Sequence, residues 1–220
     1  MKNLKLGASI LSVQSFVLYE KIDQLSKAGV NYFHIDIMDG NFVPNLSNPP
    51  SLYRDIYQSF PLLEYDLHFM VTEKALTKLI PVYLEYPPCY VTVHIESITD
   101  VFSIAGQVKE KGIKFGLAIN PETDIHTIQE YLPSLDMVLL MSVSPGYGGQ
   151  KFLEETYQKL QFLKTMREKN NLSFLIQVDG GINQTIAKRL ILEGVNLLVI
   201  GNDLISDADP VLYVQRFNQL

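Results

Sequence analysis

The run Phe33–Gly40, FHIDIMDG, sets His34, Asp36 and Met38 at alternate positions between Phe33, Ile35 and Ile37. Side chains alternate between the faces of a strand. The apolar set therefore turns one way, and an imidazole, a carboxylate and a thioether turn the other. Similar residues recur near the ends of other apolar runs. DLHFM carries His68 and Met70, VTVH ends in His94, and MVLLM ends in Met141. Ser9 closes KLGAS, and Asp179 precedes Gly180 and Gly181. Taken singly, each has a plain explanation: a strand-end histidine is most often hydrogen-bonded filler, and an aspartate is often a helix cap. Methionines at such positions usually fill a core. Taken together, two histidines and two aspartates make a ligand set of mixed hardness, suited to one divalent ion such as Zn2+, Fe2+, Mn2+ or Co2+. The fourth histidine, His126, falls on an expected surface helix and reads as a solvated residue.

Glycines mark a second kind of chemistry. SPGYGGQKF brings Gly146, Tyr147, Gly148 and Gly149 after one strand, DGGI follows the next, and IGND brings Gly201 and Asn202 after the last. Such loops allow close backbone approach, and their N–H groups can hold an anion without a lysine cluster. The first of them could also close as a lid. Lys5 and Lys114 fall at strand starts, so no lysine stands where a Schiff base would need one.

The elements that must position these residues alternate along the chain. Strands are expected at Lys5–Ile10, Tyr32–Ile37, Tyr65–Met70, Tyr90–His94, Lys114–Ile119, Met137–Met141, Ser173–Val178 and Leu197–Ile200. Amphipathic stretches lie between, clearest at Gln14–Ala28, Glu154–Asn170 and Gln184–Glu193; Thr72–Tyr86 should kink or restart at Pro81. Eight strand-and-helix units of this length predict an α/β fold, a single (β/α)8 TIM barrel spanning residues 1–220. An open doubly wound sheet is the alternative. A barrel brings all the strand ends named here to one mouth.

Bulk composition limits the function classes. Of 220 residues, 47% are hydrophobic and 19% charged, which supports a substantial core. A formal net charge of −6 disfavours nucleic acid as a partner. One cysteine excludes an internal disulfide and favours the cytoplasm. No apolar run is long enough to span a membrane. The N-terminal stretch is broken by Gln14 and three serines, so a signal peptide is not expected.

Seven stretches, ASILS, HIDIMDGNFVPN, DLHFMV, VHIE, GLAINPET, MSVSPGYGGQKF and VDGGI, together resemble the ribulose-phosphate 3-epimerase family along essentially the whole chain. The resemblance implies a metal-dependent epimerase that inverts carbon three of a ketose phosphate. Ribulose 5-phosphate is the first candidate; a hexulose 6-phosphate or a non-catalytic sugar-phosphate-binding role are the alternatives. It implies that His34, Asp36, His68 and Asp179 hold one divalent metal, with Asp36 and Asp179 as the two acid–base groups. Ser9 and His68 would contact substrate. The backbone at Gly146–Gly149, Gly180–Gly181 and Gly201–Asn202 would cradle phosphate. Met38, Met70 and Met141 would wall the enediolate intermediate. A homo-oligomer is compatible with the family, and nothing in the sequence selects one. Ser144, Tyr147 and GNDL depart from the usual family residues. Asp203 in GNDL should therefore turn away from the anion and cap the following helix.

Overall fold

The computed structural model describes residues 4–220. Its strands are β1 (Lys5–Ser9), β2 (Tyr32–Asp39), β3 (Leu46–Ser47), β4 (Glu64–Met70) and β5 (Tyr90–His94). They continue with β6 (Lys114–Ile119), β7 (Met137–Met141), β8 (Leu175–Asp179) and β9 (Leu197–Ile200). All except β3 are parallel neighbours, and the pairing of β1 with both β2 and β9 closes them into an eight-stranded barrel. The helices are α1 (Leu18–Lys27), α2 (Pro50–Ser59), α3 (Glu73–Tyr83), α4 (Val101–Lys109), α5 (Thr156–Lys169), α6 (Gln184–Leu192), α7 (Asn202–Ile205) and α8 (Pro210–Phe217).

Four details differ from the sequence reading. β2 runs two residues further, to Asp39, because the short antiparallel β3 pairs with Met38 and Asp39. The β6–β7 connection holds two 3-10 turns, Ile125–Ile128 and Leu132–Ser134, and no α-helix. Pro133 sits at the start of the second turn, where a missing N–H costs nothing. Pro81 does not restart α3; it falls in the last turn, and the helix ends at Tyr83. β8 is shifted along the chain to Leu175–Asp179, which carries Asp179 inside the strand.

Strand parity organises the interior. Phe33, Ile35 and Ile37 of β2, with Leu67 and Phe69 of β4, join the main apolar core between barrel and helices. The other faces point inward. At the N-terminal end the barrel is closed by Tyr32, Tyr90, Met137, Leu197 and Val199. Above that plug the inward residues turn polar: His34, Asp66, Thr92 and Gln177, then Asp36, His68 and His94, all buried. Gly116 makes room for this layer, since a Cβ there would lie 2.7 Å from Thr92 Oγ1. Among the described residues no helix is long and apolar enough to cross a membrane.

Candidate active site

β2, β4 and β8 deliver one cluster. His34, Asp36, His68 and Asp179 each place a ligand atom within 4.8 Å of the others. His34 Nε2 lies 3.2 Å from His68 Nδ1 and 3.3 Å from Asp36 Oδ1. His68 Nδ1 lies 3.2 Å from the same Asp36 oxygen, and Asp179 Oδ2 is 3.8 Å from His34 Nε2. Donor atoms about 2.0–2.1 Å from a tetrahedral divalent ion sit about 3.3 Å apart. The spacing and the mixed nitrogen and carboxylate chemistry fit such an ion.

The cluster is held from behind. His34 Nδ1 lies 2.8 Å from Asp66 Oδ2, which also accepts from Gln177 Nε2 at 2.8 Å. Thr92 Oγ1 donates to the other Asp66 oxygen at 3.3 Å. His68 Nε2 lies 2.8 Å from His94 Nε2, and His94 Nδ1 lies 3.1 Å from Glu96 Oε2. Ser47 Oγ and Asn48 Nδ2 donate to the Asp36 carbonyl oxygen at 2.6 and 2.8 Å, fixing the β2 backbone. The remaining aspartate of FHIDIMDG, Asp39, is structural. It accepts from the Asn41, Phe42 and Thr72 N–H groups, each at 2.9 Å.

Without a cation, the two carboxylates titrate in opposite directions. Burial pushes Asp36 up, but the neighbouring His34 and His68 imidazoles outweigh it and hold Asp36 well below the usual carboxylate range. Burial pushes Asp179 up to about 7; His34 opposes the shift, and the Asp36 and Asp66 charges add to it. His68 is lowered to about 4 by burial, against the pull of the neighbouring Asp36. It is neutral at pH 7, as a ligand must be.

A cavity of about 560 Å³ opens over the cluster, within the usual range for small-molecule sites. Ser9, Asp36, Met38, Met70, Met141 and Asp179 line it, together with Gly146, Tyr147, Gly148, Gly149, Gly180, Gly181, Gly201 and Asn202. His34 and His68 are fully buried beneath this wall rather than on it. Ser9 Oγ donates to Asp36 Oδ2 at 3.0 Å. Met38 and Met70 pack with Val43, while Met141 packs with Val143 in a separate apolar cluster.

The glycine loops meet at the rim. Gly180 and Gly181 have φ of +118° and +64°, and a Cβ on Gly181 would collide with backbone atoms of Gln150 and Phe152. Ser142 Oγ lies 2.8 and 2.7 Å from the Asp179 and Gly180 carbonyl oxygens, holding that turn. The Gly146 loop is tied to the β2–β3 loop. Asn45 Nδ2 donates to Gly146 O at 2.8 Å, and Tyr147 Oη donates to Pro44 O at 2.6 Å. Asp203 does not cap α7; its Oδ2 accepts from Tyr213 Oη at 2.7 Å, because α8 packs alongside. His126 is exposed and bonded to Asp124, outside this site.

Five supporting residues received no role in the sequence reading: Asp66, Thr92, Gln177, His94 and Glu96. Parity could have found three of them, Thr92 being two before His94 in β5. Asp66 lies two before His68 and Gln177 two before Asp179, so each shares the inward face of its strand.

Fold and site together define a barrel enzyme with carboxylates and imidazoles gathered at one mouth. The ribulose-phosphate 3 epimerase family model matches residues 5–205. A ribulose-phosphate 3-epimerase of Bacillus subtilis is 36% identical over 207 residues, covering 94% of each chain. That of Aquifex aeolicus is 35% identical over 217 residues, covering 98% of this chain and 96% of its own. The solved 3-hexulose-6-phosphate synthase of Salmonella typhimurium superposes with a TM-score of 0.72 at 18% identity, covering 98% of this chain and 97% of that one. The chain belongs to the ribulose-phosphate 3-epimerase family.

Proposed function

We propose that this chain, acting as one barrel domain over residues 1–220, interconverts ribulose 5-phosphate and xylulose 5-phosphate by inverting carbon three. The observation that carries the reading is the placement of Asp36 and Asp179 on different strands, both on the cavity wall and both within reach of His34 Nε2. One carboxylate removes the carbon-three proton, giving an enediolate, and the other returns a proton to the opposite face. In the reverse direction the roles exchange. Ser9 holds one Asp36 oxygen, which orients the carboxylate toward the substrate. Met38, Met70 and Met141 supply a polarizable wall that carries no competing proton donor.

His34, Asp36, His68 and Asp179 would hold one divalent ion, Zn2+, Fe2+, Mn2+ or Co2+, which would supply Lewis acidity to stabilise the enediolate charge. Among the described residues the Gly180, Gly181, Gly201 and Asn202 N–H groups find no backbone acceptor. They line the cavity with the Gly146–Gly149 loop and would receive the substrate phosphate. His68 contributes by holding Asp36 and a cation, since it lies below the cavity wall. The hexulose-phosphate synthase structure shares only the fold and lends nothing to a six-carbon substrate. Cytoplasmic residence and a homo-oligomer belong to the same proposal.

The test compares kcat/KM for ribulose 5-phosphate and allulose 6-phosphate in protein stripped of metal and reloaded with each candidate ion. A clear preference for the pentulose is expected. Preference for the hexulose, or full activity in the stripped protein, would overturn the assignment.

A further inference from the structure

We infer that Glu96 and His94 form a positioning relay that determines which ring nitrogen of His68 faces the ligand cluster bare. The inference rests on the ligand set proposed for His34, Asp36, His68 and Asp179. His94 Nε2 and His68 Nε2 are 2.8 Å apart, so one of these nitrogens donates and the other accepts. The choice is made at the far side of His94. Its Nδ1 lies 3.1 Å from Glu96 Oε2, and an ionised carboxylate only accepts. His94 therefore carries its hydrogen on Nδ1 and offers Nε2 as acceptor. His68 must then carry its hydrogen on Nε2. Its Nδ1 is left with a free lone pair, 3.2 Å from both His34 Nε2 and Asp36 Oδ1.

Glu96 is itself held in place. Its Oε1 accepts the Asn120 N–H at 2.8 Å, from the loop after β6. His94 is fully buried, with the Phe42 and His68 rings each 4.9 Å from its own, so the imidazole has no room to turn and present its nitrogens the other way round. Neither His94 nor Glu96 lines the cavity. Their effect passes through His68, which makes them positioning residues.

Glu96→Gln is the decisive variant. An amide nitrogen facing His94 Nδ1 reverses the chain of donors, places hydrogens on both facing Nε2 atoms unless His68 changes tautomer, and so favours Nδ1–H on His68. Zn2+ and Co2+ affinities should fall about ten- to hundredfold, as for other partners of metal-ligating histidines. Nitrogen-15 spectra of the metal-free chain should show the His68 hydrogen moving from Nε2 to Nδ1. Glu96→Asp, which keeps an acceptor-only group, should recover part of the affinity and the Nε2–H form. Wild-type affinity together with an unchanged His68 tautomer in Glu96→Gln would overturn the relay. So would a variant that only melts lower while binding metal normally. If the wild type itself binds neither ion, the ligand set fails and the relay falls with it; if the wild type binds and Glu96→Gln binds equally, the relay alone fails.

Discussion

Asp36 and Asp179 approach the same atom, His34 Nε2, from β2 and β8, at 3.3 and 3.8 Å. Two carboxylates meeting around one imidazole allow proton removal and return by different groups. General acid–base catalysis contributes about 10²–10⁴-fold in typical cases. Asp36→Asn and Asp179→Asn should each lose at least that much in kcat, because each also removes a candidate ligand. In deuterated water, wild-type product should carry deuterium at carbon three from its first appearance, read by mass spectrometry. Product retaining the original hydrogen would mean that one shared base does both steps.

The raised pKa of Asp179 has a consequence for stability. In the metal-free protein burial first, and then the Asp36 and Asp66 charges, raise it from 3.8 to about 7 against the pull of His34. A carboxyl raised in the folded state contributes stability that is fully present below its unfolded value and is lost as pH rises through the folded one. The loss therefore runs from about pH 4 to about pH 7. Asn in its place does not ionise. Metal-free Asp179→Asn should melt higher than metal-free wild type at pH 8, with the gap closing near pH 4. Equal melting temperatures at pH 8 would contradict the shift.

Two glycines of the rim should respond differently to substitution. At Gly181, with φ +64°, an added Cβ meets Phe152 N and Gln150 O, which are backbone atoms that cannot step aside. Gly181→Ala should cost about 1–3 kcal/mol of stability and raise KM for the sugar phosphate. At Gly148 the one close contact of the added Cβ is the Ser12 hydroxyl, which can rotate; Asn202 Oδ1 at 3.6 Å is at ordinary contact distance. Gly148→Ala should change KM less than about threefold, within the scale of ordinary surface substitutions. Matching KM values for the two variants would separate the Gly181 turn from phosphate binding.

Asp203 offers a test of the rim on the other side. One of its oxygens accepts from Tyr213 Oη at 2.7 Å, tying α7 to α8. Asp203→Ala should lower the melting temperature by about 2–4 °C, equivalent to about 1 kcal/mol, and leave kcat/KM within a few-fold. A hundredfold loss of activity without loss of stability would place Asp203 on the substrate.

Chelation bears on the whole cluster. Stripped protein should lose epimerase activity and regain it with one equivalent of a divalent ion, followed by calorimetric titration. His68→Ala should abolish the recovery, since it removes Nδ1, which lies 3.2 Å from both His34 Nε2 and Asp36 Oδ1. Recovery at wild-type affinity would exclude His68 from the ligand set.

Much of the site was legible in FHIDIMDG and its counterparts, because period-two alternation is a local property of the chain. Parity alone separates Phe33, Ile35 and Ile37 from His34, Asp36 and Met38, and the repeated strand–helix spacing predicts closure into a barrel. Asp179 could be placed beside Asp36 only through that closure, since 143 positions separate them (179 − 36). Other features are decided by packing between elements and leave no local pattern. Gln177 reaches Asp66 across the barrel at 2.8 Å, and Glu96 acts on His68 through His94. The β6–β7 connection has the length for a helix, yet folds as two 3-10 turns. Asp203 carries a cap-forming side chain, yet Tyr213 from α8 claims it. Hydrogen-bond partners that arrive from distant strands and helices are set by three-dimensional proximity. The sequence names the groups that need partners, and tertiary structure decides which partners they meet.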